Sequence, residues 1–128
     1  MKKIGLLLFI LIVLTGCNDS GKTEIAILNP EITLGSVPLN SKKDFYIKIK
    51  NEGNSDLKIS KVQPSCRCIA DDKLDNLVIK KHETDSVKLT LQPNAYGDHT
   101  ETVAILSNTE PGYSIVHVKS FTPDAANN

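Results

Sequence analysis

Three cysteines carry most of the chemical scope of this 128-residue chain, and two of them, Cys66 and Cys68, stand one residue apart. On a strand, residues i and i+2 point to the same face, about 6.6 Å apart at a rise near 3.3 Å per residue. A disulfide needs Cα atoms roughly 4.4–6.8 Å apart. A flat strand therefore holds this pair at the edge of what a bond tolerates, and closing it requires the backbone to fold between them. Arg67 hinders that folding, whereas Pro64-Ser65 mark a chain already turning. Three chemistries are open. The first is a structural pair, as a local disulfide or two buried thiols, since free cysteine is among the most buried residue types. The second is a thiol–disulfide site, lacking the Cys-x-x-Cys spacing and helix N-terminus that depress a thiol pKa but with Arg67 supplying positive charge nearby. The third is a soft-metal site for Cu(I) or zinc. Two thiolates do not close a structural zinc site. Further ligands would have to come from His82, His99 and His117, whose scatter shows neither His-x-His nor His-x-x-x-His spacing. The structural pair is the simplest reading, with no metal and no cofactor.

Cys17 offers a different reaction. Lys2-Lys3 form a positive start, and Ile4 to Leu14 is an unbroken run of apolar residues and Gly5. Small residues then precede the cysteine in Leu14-Thr15-Gly16-Cys17, as a bacterial lipoprotein signal requires. A spanning helix would need about 20 residues, far more than this run supplies. The pattern predicts a signal peptide over residues 1–16, cut before Cys17, whose thiol takes the acyl chains (palmitate among them) that hold the product to a membrane. Asn18 to Thr23 is polar and holds a glycine, which suits a lipidated tether over residues 17–23.

Cleavage leaves 112 residues, enough for one modest core. The mature balance is 13 Lys+Arg against 15 Asp+Glu, so nothing draws the domain onto nucleic acid. Tryptophan is absent and aromatics are few, so Ile, Val and Leu must fill the interior, a bias that favours strands.

Short strands separated by turn residues recur along the chain, as in a sandwich or barrel. Asn29-Pro30 splits Glu24–Leu28 from Ile32–Leu34. Phe45, Ile47 and Ile49 alternate with Tyr46, Lys48 and Lys50, the clearest half-buried strand. Asn51-Glu52-Gly53-Asn54 reads as a turn whose glycine can take positive φ. Leu57 and Ile59 share a parity that Val62 breaks, so a bulge is expected near Ser60-Lys61. Leu77–Ile79, Val87–Gln92, Thr100–Leu106 and Ser114–Phe121 supply the remaining strands, with Lys80 to Asp85 as a charged turn. The tail from Pro123 should fray. About seven strands and no helices imply two packed sheets, each with one buried face.

The series Asn51-Glu52-Gly53-Asn54, Leu57-x-Ile59, Val62, Ser65-Cys66-Arg67-Cys68, then Gly97, Val103, Ile105 and Ser107-Asn108 resembles the bacterial envelope proteins of domain-of-unknown-function family 1573. The likeness spans roughly Ile32 to Phe121. Arg67 stands where glycine is usual, Ile69 where threonine is common, and Lys81-His82-Glu83 where Pro-Gly is frequent. The resemblance implies an immunoglobulin-like β-sandwich, over residues 24–122, of the kind shared with major-sperm-protein-like domains. Residues 123–128 form a disordered tail in this reading. It brings no established activity.

No nucleophile elbow, phosphate-cradling loop or kinase signature is present, and Asp71, Asp72 and Asp75 lack the register of a calcium loop. Asp85-Ser86-Val87 has the form of a short O-glycosylation acceptor, which makes Ser86 a candidate exposed site. The sequence thus predicts a lipid-anchored, non-enzymatic module of a Gram-negative envelope, on the periplasmic side or the cell surface, that binds an unidentified envelope protein. A redox-active or soft-metal-handling lipoprotein working through Cys66 and Cys68 is the alternative.

Overall fold

A computed structural model describes residues 21–72, 74 and 76–127. The signal segment with its predicted helix, Cys17 and Asp75 lie outside the described residues. Among the described residues nine strands form: β1 Ile25–Ile27, β2 Glu31–Ser36, β3 Lys43–Asn51, β4 Leu57–Pro64, β5 Ile69–Asp71, β6 Leu77–Ile79, β7 Thr84–Leu91, β8 Gly97–Ser107 and β9 Tyr113–Thr122. They make two sheets, ordered β1-β3-β7-β5 and β2-β9-β8-β4-β6. All pairings are antiparallel except β2 with β9.

Side-chain alternation explains the layering. Phe45, Ile47 and Ile49 of β3 and Val87, Leu89 and Leu91 of β7 face inward from one sheet. They meet Leu57, Ile59, Val62, Val103, Ile105, Val116 and Val118 from the other. Asn29-Pro30 passes the chain from the first sheet to the second. Across that break the Asn29 side chain behaves as a spare peptide group on the edge of β3. Its Nδ2 donates to the Tyr46 carbonyl (2.8 Å) and its Oδ1 accepts from the Lys48 N–H (2.8 Å).

The anticipated irregularity in β4 is present: the register against β8 shifts between Ile59 and Lys61, which returns Val62 to the interior. Other expectations need correction. The described residues hold nine strands where about seven were expected, β5 being additional, and the charged turn ends sooner than expected because β7 begins at Thr84, paired with Lys50. Residues 125–127 close in a 3-10 turn. Gly53 is required for closeness and not for positive φ, which among glycines belongs to Gly21, Gly35 and Gly97. A Cβ on Gly53 would run into the Lys22 carbonyl and lie 2.6 Å from the Glu24 nitrogen. The left-handed residue in the turn before β7 is His82 (φ 63°), in the segment where Pro-Gly was the alternative.

Asn51 holds this end of the sandwich together. It is fully buried, and its Nδ2 donates to the carbonyls of Ser55 (2.8 Å) and Ile79 (2.9 Å) while its Oδ1 accepts from the Gly53 N–H (2.9 Å). Asn108 does the same at the surface, accepting from the Lys58 N–H (2.9 Å) and donating to the Asp56 carbonyl (3.1 Å). Replacing Asn51 with Ala strands three polar partners, at about 1–3 kcal/mol for an orphaned buried group. We expect Asn51→Ala to destabilise the domain by about 3 kcal/mol in urea titrations. A loss within about 0.5 kcal/mol would show that the amide bonds are incidental.

Candidate functional site

β4 ends at Pro64 and β5 begins at Ile69, so the segment between them must carry the chain from one sheet to the other. Ser65 anchors its first half to β8. Its N–H donates to the Thr102 carbonyl (2.8 Å), and its hydroxyl accepts from the Thr102 N–H (3.0 Å) and donates to Glu101 Oε2 (2.7 Å). The Cys68 carbonyl anchors the second half to the end of β7 by accepting from the Gln92 N–H (2.7 Å). Pinned on both sides, the backbone folds enough to bring the Cα atoms of Cys66 and Cys68 to 5.2 Å, and the two sulfurs are bridged. The bend leaves Arg67 outside the left-handed region, where Asn40, Asn76 and His82 are the non-glycine residues among those described. Arg67 is therefore no obstacle to the ring. Both cysteines are half-buried against the core, and Arg67 is exposed.

Glu101 is the residue that sequence reasoning missed. One ligand atom from each of Cys66, Cys68 and Glu101 falls within a mutual 4.8 Å. Only the pairing of β4 with β8 creates this neighbourhood, and nothing in the local sequence around Glu101 signals it. The histidines are elsewhere. His82 lies in the turn at the opposite end, His99 Nε2 bonds to the Ala95 carbonyl (2.8 Å), and exposed His117 sits on β9 opposite Thr102. Ser86 is exposed on β7, opposite Lys48 of β3, with its N–H donating to Asp85 Oδ1 (2.7 Å).

Beside the ring lies a groove of about 290 Å³ bordered by Arg67, Cys68, Asp44, Asp72, Thr90 and Gln92. Lys88 Nζ bridges Asp44 Oδ2 (3.2 Å) and Asp72 Oδ2 (3.4 Å), and the Thr90 hydroxyl donates to Asp44 Oδ1 (2.6 Å). The Thr90 hydroxyl, then Lys88, holds the Asp44 carboxyl below its ordinary range, while Asp44, then Asp72, raises Lys88. The groove is lined mainly by charged and polar side chains, without the apolar lining of a typical small-molecule site.

The family pattern described as Protein of unknown function (DUF1573) matches residues 25–122, and the chain belongs to that family. A prokaryotic membrane lipoprotein lipid attachment site matches residues 1–18. No curated protein matches the chain. Among solved structures, a protein of unknown function from Porphyromonas gingivalis W83 aligns with TM-score 0.63 at 16% identity, over 79% of this chain and 46% of that one. This chain thus spans about half of that protein's length. The ASH/PapD-like domain 7 of human CEP192 aligns with TM-score 0.63 at 16% identity, over 84% of this chain and 89% of that one. The Caenorhabditis elegans major-sperm-protein family member WR4 aligns with TM-score 0.51 at 11% identity, over 77% and 97%. These likenesses establish an immunoglobulin-like sandwich, and the attachment site makes the protein a lipid-anchored β module of the cell envelope.

The Asp44 carboxylate contributes stability that is present above its ordinary value of 3.8 and is lost as pH falls through its lower folded value. Asp44→Asn should therefore flatten the dependence of the urea midpoint on pH in the window between 3.8 and that lower folded value. Superimposable profiles for the two proteins would refute the assignment.

Proposed function

We propose that this protein is a non-catalytic binding module, fixed to a membrane of a Gram-negative envelope by acyl chains on Cys17, which engages an envelope protein through its five-stranded sheet. The carrying observation is the outer face of β9. Tyr113 and Ile115 project outward side by side along one strand, with Phe121 on the same face beyond exposed His117 and Lys119, and each of the three apolar residues is more than 40% exposed. Leu106 and Ala104 of β8 stand beside Tyr113 and Ile115 in register, so the apolar surface continues across two strands. Large apolar side chains grouped on an open sheet face mark interaction surfaces more often than chance exposure does. At the sheet's edge, the backbone groups of β2 on the side away from β9 are open to strand addition. Ser86 lies on the other sheet, so a glycan there leaves the β9 face clear.

A photo-crosslinking residue at Ile115, in protein labelled with palmitate in its native envelope, should yield a discrete adduct. The same residue at Tyr46, exposed on the other sheet, should yield far less. Equal adducts at both positions, or monomer alone at Ile115, would sink this binding surface.

A second reading rests on Glu101. If a dithiol reductant opened the Cys66–Cys68 bridge, two thiols would face a carboxylate, a donor set that suits a thiophilic divalent ion with one position left for solvent. Two electrons and two protons from the dithiol convert the bridge to thiols, and metal binding releases the two protons. The reduced protein should then develop cadmium–thiolate ultraviolet absorption that Glu101→Gln weakens and that the oxidised protein lacks. Absence of that band in the reduced protein would remove the metal reading.

A further inference from the structure

The place where the chain enters the fold sets how the sandwich must stand on its membrane. Gly21 and Lys22 are already part of the folded body. The Ser55 hydroxyl donates to the Gly21 carbonyl (3.1 Å), the Asn54 N–H donates to the Lys22 carbonyl (2.9 Å), and the Thr23 hydroxyl donates to the Asn108 carbonyl (2.7 Å). Only four peptide steps separate Gly21 from Cys17. Four residues reach at most about 14 Å, whatever conformation they adopt.

The strand directions then sort the loops into two ends. Residues 52–56, 80–83 and 108–112 share the end at which the chain enters, because β3 finishes there, β4 begins there and Asn108 closes against Thr23. β4 runs away from that end for eight residues, about 26 Å. The Cys66–Cys68 ring and residues 92–96 therefore lie at the far end, where the Gln92 N–H bonds to the Cys68 carbonyl.

We propose that the end formed by residues 21–24, 52–56 and 108–112 docks against the phospholipid headgroup layer that holds the protein's own lipid, with the Cys66–Cys68 ring pointing away from it. The partner is fixed by tether length. Acyl chains on Cys17 must lie in the hydrocarbon, and crossing the headgroup layer takes up about half of a 14 Å reach, which keeps the entry end within about 10 Å of the membrane surface. The charge of this end agrees with uncharged, zwitterionic lipid. Lys22, Lys80 and Lys81 are outnumbered by Glu24, Glu52, Asp56, Glu83 and Glu110, and Lys80 is already paired with Asp56 at 2.8 Å, so the end is net acidic. An anionic surface would have no basic excess to grip. Between Lys22 and Glu110 a groove of about 320 Å³ opens beside the entering chain.

This inference rests on acylation at Cys17, and the test separates the two. The mature lipoprotein is reconstituted in phosphatidylethanolamine–phosphatidylcholine vesicles after mass spectrometry confirms its acyl groups. An environment-sensitive fluorescent amino acid is encoded at Glu52 or at Asn94, both exposed, and a headgroup-linked nitroxide lipid serves as quencher. Quenching should be several-fold stronger at Glu52 than at Asn94. A flexible insert of about 12 residues after Asp19, reaching about 40 Å further, should erase most of that difference. Equal quenching in the acylated protein overturns the docking, and a difference that survives the longer tether overturns tether length as its cause. A product without acyl mass overturns the anchor on which it rests.

Discussion

A buried amide on Asn51 is the constraint on which the architecture turns. Two sheets of aliphatic side chains would pack in many registers, because Ile, Val and Leu interdigitate with little directional preference. Asn51 removes that freedom. It sits at the last residue of β3, reaches the carbonyl of Ile79 on the edge of the opposite sheet, and closes the turn through Ser55 and Gly53. Leaving one of these groups unpaired costs about 1–3 kcal/mol, enough to decide between registers that pack about equally well. Gly53 follows from the same arrangement, since the turn that Asn51 ties down must pass so close to the entering chain that no side chain fits.

The layered all-strand character was legible because its cause is local. Phe45-Tyr46-Ile47-Lys48-Ile49 and Val87-Lys88-Leu89-Thr90-Leu91 state their burial in their alternation, and the broken parity at Val62 announced the bulge in β4. β5 was not legible. Three residues with one buried side chain carry no periodicity, and Ile69–Asp71 is a strand only because β7 lies alongside it. The turn glycine illustrates a subtler failure. Gly53 was rightly placed in a turn, but its reason lies in residues about thirty positions earlier, and a neighbour distant in sequence leaves no mark on local composition.

The site divides in the same way. The spacing of Cys66 and Cys68 invited a closed ring on a bent backbone, and the bend is imposed from outside by Ser65 on β8 and Gln92 after β7. Glu101 was invisible for that reason. Its approach to the sulfurs depends on which strand β4 pairs with and in which register, information that resides in the whole sheet. The histidines show the converse. Residue type made them candidate ligands, but geometry disperses them to a turn, a loop carbonyl and an outer face.

The passage of the first strands from one sheet to the other has a mechanical corollary. Because β1 hydrogen-bonds within one layer and β2 within the other, tension applied at the amino-terminal end is shared by both layers before either can separate. β2 lies parallel to β9, so a pull along its axis loads a row of bonds together in shear instead of opening them one at a time. A small domain moored at one end and gripped at its sheet would then resist force by geometry, with no need for a larger core.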